Sequence, residues 1–176
     1  HGPVEPRYTG GLSNVFTLGP WEFSFFVTMQ AGNKLRLNPT FDPAFADLNV
    51  FSKRYVDRWL NPGDELRTDV PTLPSQALID KVGRENIERA YNTYNYSQQM
   101  VADGSFVRLK NVAVAYTLSS ARLKRLPLSS ASLRLNVTNP LLIYADKRLH
   151  GQDPEYYRAG GVALHRPRLI TLTLNL

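Results

Sequence analysis

Ile170-Thr171-Leu172-Thr173-Leu174-Asn175-Leu176 alternates apolar and polar side chains without a break to the end of the chain. Successive side chains of an extended strand point to opposite faces, so Ile170, Leu172, Leu174 and Leu176 share one face and Thr171, Thr173 and Asn175 the other. The same pattern recurs farther back. Tyr8, Leu12, Phe16 and Leu18 alternate against Thr9, Ser13 and Thr17, and Trp21, Phe23, Phe25, Val27 and Met29 against Glu22, Ser24, Thr28 and Gln30. Val112, Val114, Tyr116 and Leu118 oppose Asn111, Ala113, Ala115 and Thr117, and Leu133, Leu135 and Val137 oppose Ser132, Arg134, Asn136 and Thr138. The spacing predicts an all-β chain of antiparallel strands over 7–18, 21–33, 105–118, 131–143 and 166–176.

The connections sort by length. Gly19-Pro20 makes a tight turn and 119–130 a short link, whereas 34–104 and 146–165 are long. Pro39, Pro43, Pro62, Pro71 and Pro74 break the first long loop, and the helix formers of 78–100 predict helix over part of it. With the C-terminus in the periplasm, both short connections fall on the periplasmic side and both long loops outside, which is the rule of transmembrane β-barrels. Aromatic residues at the strand ends suit a bilayer interface. Five strands cannot close, because bacterial single-chain barrels need an even number and at least about eight. The chain therefore reads as the C-terminal portion of a larger barrel.

Composition narrows the classes. The 176 residues hold no run near the roughly 20 apolar residues of a spanning helix. Absence of cysteine excludes a disulfide framework and a thiol nucleophile within the chain. The net charge of +6 is scattered along the sequence, with no basic stripe and interleaved aromatics for nucleic acid. No serine elbow or phosphate-binding glycine loop is found, and the adjacent Asp64 and Glu65 are not two carboxyls facing across a sugar at roughly 5–9 Å. The chain reads as a non-enzyme with no cofactor.

Several motifs carry a resemblance: Tyr8-Thr9-Gly10-Gly11-Leu12-Ser13-Asn14, Trp59-Leu60-Asn61-Pro62-Gly63-Asp64-Glu65, Asp103-Gly104-Ser105-Phe106-Val107-Arg108-Leu109-Lys110-Asn111-Val112, Tyr116-Thr117-Leu118, and Gly151 with Asp153-Pro154-Glu155. In this order they resemble the C-terminal part of SusC-like TonB-dependent outer-membrane transporters. The resemblance implies a 22-stranded barrel with a plugged lumen, import of glycans or peptides, a SusD-like lipoprotein over the outer face and a TonB complex acting on a plug domain absent from these residues. It places the chain in the bacterial outer membrane, against lipid and the remaining barrel. One departure is Asn139-Pro140-Leu141, where proline donates no ladder hydrogen bond and the strand is expected to bend or end.

The candidate contact residues for substrate or lipoprotein are Trp59, Tyr94, Tyr96, Tyr156 and Tyr157, aromatics of the two long loops. The competing reading for Trp59 is an ordinary Pro-Gly-Asp turn. Tyr91 and the other loop tyrosines read equally as packing. His150, His165, Asp153 and Glu155 match no standard metal spacing, and Asp153-Pro154-Glu155 suits a turn cap. A soluble β-sandwich carbohydrate-binding module and a surface adhesin are the alternatives; a sandwich would bury its apolar faces on each other.

Overall fold

The computed structural model describes residues 2–39, 53–119, 130–157 and 162–176. Its main sheet contains β1 (Tyr8–Leu18) and β2 (Trp21–Ala31), then β5 (Phe106–Ser119), β6 (Ser130–Tyr144) and β7 (Leu169–Asn175). These five strands lie in the order β1-β2-β5-β6-β7, every neighbouring pair antiparallel. The segment between β2 and β5 adds β3 (Lys34–Arg36) and β4 (Val101–Asp103), which pair with each other, and two helices, α1 (Gln76–Val82) and α2 (Arg84–Asn95). The antiparallel sheet expected from alternation is present. The pair β3–β4 is not foreseeable from alternation, since three residues are too few to show a period.

The register aligns the alternating residues across all five strands. Phe16, Phe23, Val114, Leu135 and Leu172 form one row; Leu18, Trp21, Tyr116, Leu133 and Leu174 form the next, toward the Gly19-Pro20 turn. Rows of the opposite face read Val15, Ser24, Ala113, Asn136 and Thr171, then Thr17, Glu22, Ala115, Arg134 and Thr173. On that face Arg134 reaches over Ala115 to Glu22, 2.5 Å away. The apolar face is bare: Phe23 is 41% and Leu172 66% exposed, and among the described residues no second sheet lies on it. A soluble module would cover such a face, because a contiguous exposed apolar area of this kind marks a contact with lipid or another chain.

Both long segments leave the same end of the sheet. At the other end, Gly19 adopts φ +58 in the two-residue turn, and Pro20 O accepts the Thr117 N–H at 2.8 Å. Trp21 lies 4.6 Å from Tyr116 and 6.2 Å from Phe23, ring centre to ring centre, as an aromatic cluster at this edge. The connection 119–130 belongs to this end too, but residues 120–129 lie outside those described.

At Pro140 the strand neither ends nor continues regularly. β6 runs through to Tyr144, with Asn139 at φ +53. Leu109 pairs with Leu141 and Asn111 with Thr138, while on the other side Val27 pairs with Leu109 and Phe26 with Asn111. Lys110 is thus the extra residue of a β-bulge facing Asn139-Pro140, where a proline can be accommodated without a lost ladder bond. The bulge re-aims the chain. Strict alternation counted back from Val112 would turn Arg108 to the apolar face; the inserted residue puts Val107 and Leu109 there and swings Phe106 and Arg108 to the polar face.

The root of the first loop explains Asp103-Gly104-Ser105. Asp103 Oδ1 accepts Ser105 Oγ at 2.8 Å, Ser105 Oγ accepts the Gly32 N–H at 3.2 Å, and Asn33 O accepts the Gly104 N–H at 3.0 Å. The buried Asn33 carboxamide occupies the place a Cβ on Gly104 would take, so only glycine fits between β4 and β5.

Candidate functional site

The two long loops share one core. Leu37, Met100 and Ala102 from the first pack with Leu149, Tyr157 and Ala163 from the second, flanked by Leu35, Tyr94, Ala145 and Tyr156. Hydrogen bonds tie the same segments: Tyr157 Oη accepts the Asn38 N–H at 3.0 Å, and Asp146 Oδ2 accepts the Asp103 N–H at 2.8 Å. Burial alone would raise the Asp146 carboxyl, but the N–H groups of Arg148 and Asp103 outweigh it and hold the group below the ordinary carboxylate range. A carboxyl depressed in the folded state contributes stability above its unfolded value of roughly 3.9 and loses it as pH falls through the depressed value. The thermal stability of the loops should therefore fall in that acid window, and Asp146→Asn should remove this part of the pH dependence; an unchanged acid profile in the variant would refute the assignment.

Beneath this core, the second loop meets the sheet. Arg108, 3% exposed in its side chain, pairs with Asp153, 0% exposed, and its Nε lies 3.2 Å from Glu155 Oε2. Lys110 Nζ donates to both Glu155 carboxylate oxygens at 2.8 Å. Asp153 also orders its own loop. Its Oδ1 accepts the Glu155 N–H at 3.0 Å and its backbone N–H donates to Ala163 O at 2.9 Å, while His165 Nδ1 stands 3.4 Å from Oδ2. Asp153-Pro154-Glu155 is thus the turn the sequence suggests, and its carboxylates face cations. His150 lies elsewhere, near Arg54 and Asp57; burial first and Arg54 second lower its pKa, against the opposing pull of Asp57. Among the described residues no group of His, Asp and Glu is arranged to hold a metal ion.

The aromatic candidates separate. Trp59 and Tyr94 line one open cleft of about 1110 Å³, together with Arg58, Arg67, Leu78 and Tyr91. Tyr96 is 68% exposed at the end of α2, with the Arg36 guanidinium 5.3 Å from its ring centre. Tyr156 is half-buried under Arg166, 4.6 Å from its ring, and burial, then the Glu155 carboxylate, raises its hydroxyl pKa. Tyr157 is buried in the shared core. The structure brings Trp59 and Tyr94 together on this cleft, while Tyr94 also flanks the shared core with Tyr156 and Tyr157, and Tyr96 stands apart.

Trp59 lies just before the Pro-Gly-Asp turn, which Asn61 O closes by accepting the Asp64 N–H at 3.2 Å. Its indole N–H donates to Thr68 O at 2.7 Å. Asp64 Oδ2 accepts the Asn61 and Leu60 N–H groups at 2.8 and 2.9 Å, which lower its pKa in that order. Glu65 accepts the Gly63 N–H at 2.8 Å, and Gly63 has φ +98. Both carboxylates are thus engaged by their own turn, while Asp57 and Asp69 line the same cleft beside the ring faces of Trp59 and Tyr94. Tyr91, behind it, donates its hydroxyl to Thr72 O, and burial raises its pKa.

Arg108 and Lys110 were not among the sequence candidates. Their signal was two cations two apart in an otherwise apolar strand, and the bulge that explains them is invisible to alternation.

The described residues form an antiparallel meander with one bare apolar face, one polar face and both long loops at one end. In sequence, the chain is 25% identical over 157 residues to a TonB-dependent receptor of Formosa agariphila, covering 87% of this chain and 14% of that protein. In fold, it matches the RagAB peptide importer in its open-open state with a TM-score of 0.65 at 20% identity, over 97% of this chain and 17% of the matched chain. The closed-closed state gives 0.62 at 21% identity, again over 97% of this chain and 17% of the matched chain. No protein-family model matches. The chain resembles part of a SusC-like TonB-dependent transporter, as its motifs indicated, and spans less than a fifth of the relatives' length. Those relatives are named as a receptor and an importer, not as enzymes.

Proposed function

We propose that the chain is the C-terminal wall segment and two outer loops of a TonB-dependent outer-membrane importer of glycans or peptides, working with a SusD-like surface lipoprotein. The observation that carries this reading is the register. Five strands place their apolar residues in common rows on a bare face while the polar face receives the loop. Lipid would cover the apolar face, and the open edges of β1 and β7 would pair with the remaining barrel strands, since an unpaired edge in a bilayer leaves backbone groups without partners. The TonB complex would act through residues outside this chain. No bond-making chemistry is assigned to these residues.

The contacts with substrate or lipoprotein are assigned to the loop aromatics, foremost Trp59 and Tyr94 on their common cleft, then Tyr96 and Tyr156, with Tyr157 supporting the loop from its core. In the intact protein, Trp59→Ala with Tyr94→Ala should lower TonB-dependent uptake or co-purification of the lipoprotein by about tenfold, the loss of one to two aromatic contacts of roughly 1 kcal/mol each. Barrel assembly should be unchanged. Normal uptake together with normal co-purification would assign both rings to loop packing.

A further inference from the structure

The chain contains an ion network that the transport reading does not use. Arg108 and Lys110 stand at the β-bulge on the polar face of the sheet, and Asp153 and Glu155 descend on them from the second loop, with the Arg108–Asp153 pair fully buried. The second loop is in turn fastened to the first by Tyr157 on the Asn38 N–H, by Asp146 on the Asp103 N–H and by the core of Leu37, Met100, Leu149 and Ala163. The first loop has no ion pair of this kind to the wall among the described residues. Among the described residues, the contacts that fasten it, apart from its own two ends, are with the second loop.

We propose that Asp153-Pro154-Glu155 is a strap that fastens both outer loops, as one body, to the wall at Arg108 and Lys110. Arg108 is a positioning residue for the first loop, which it does not touch. One feature supports a single body: the two loops share a buried core of Leu37, Met100, Ala102, Leu149, Tyr157 and Ala163, while the strap crosses to a separate element, strand β5. A buried pair is costly to strand by halves but can be removed together without leaving an uncompensated charge. Cutting the strap should therefore release the loops jointly and leave the strands intact.

The test is amide hydrogen exchange on the intact protein in detergent, comparing wild type with Arg108→Ala plus Asp153→Ala. The strap predicts that amides of 147–157 and the remote amides of Asn38 and Asp103 exchange faster by a common factor of about tenfold or more, with β1 and β2 unchanged, as for one cooperative opening unit. Asp153→Asn, which keeps the side chain's shape but leaves the buried Arg108 without its partner, should give the same pattern with a factor at least as large. Acceleration confined to 147–157 would overturn the proposal, as would no change in either loop. Failure of the double variant to assemble, or loss of protection in β1 and β2, would overturn it too, by placing the pair in the folding of the wall.

Discussion

Asp153→Ala alone should destabilise the loop layer by on the order of 3 kcal/mol, the lower end of what removing one member of a buried ion pair costs. The lower end applies because Glu155 remains 3.2 Å from Arg108 and keeps part of the compensation. What is lost besides the charge is the turn: the Glu155 N–H loses its acceptor, and Lys110 loses a well-held partner when Glu155 moves. Protease cleavage within 146–157 across a urea series would measure the shift. A midpoint within error of wild type would mean that the pair is an incidental contact.

The second large effect belongs to the sheet. Leu172→Arg should cost roughly 2–4 kcal/mol if the position is near the bilayer midplane, whereas Thr173→Arg should cost much less, because only the first carries its charge into lipid. Leu172 lies on the apolar face in the row of Phe16, Phe23, Val114 and Leu135, whereas Thr173 lies on the polar face beside Arg134, where an added arginine stays on the side of the sheet that already carries charge. Refolding titrations into lipid bilayers would give both values. Equal costs at the two positions would reverse or abolish the assignment of faces.

The sheet was legible because a period of two is a property of local sequence. Ser132 to Thr138 shows its two faces without reference to any other strand, and the register merely stacks them. The bulge at Lys110 was not legible, because it is set by what two neighbouring strands do at Phe26 and at Asn139-Pro140. Alternation then assigns Arg108 the wrong side of the sheet, and with it the most buried ion pair among the described residues disappears from view. Pro140 gave half of the message: it announced an irregularity, but whether the strand ends or bulges depends on the partner strand. The loop core fared similarly. Tyr157 and Tyr96 look alike in sequence, both tyrosines in polar loops, yet one is buried against Leu149 and Met100 and the other lies open at a helix end. Only the long-range pairing of Asp146 with Asp103 and Tyr157 with Asn38 separates them.

The central claim is that one face of this sheet meets lipid and the other water. The chain has no cysteine of its own, so single cysteines can be placed along β6 at positions 133 to 137 and spin-labelled in the bilayer-embedded protein. Collision with lipid-soluble oxygen should be high at Leu133, Leu135 and Val137 and low at Arg134 and Asn136, with a water-soluble nickel chelate showing the opposite alternation. That two-residue oscillation, out of phase between the two reagents, is the predicted result. A uniform response along the strand, or chelate access at Leu133, Leu135 and Val137, would contradict the transmembrane account.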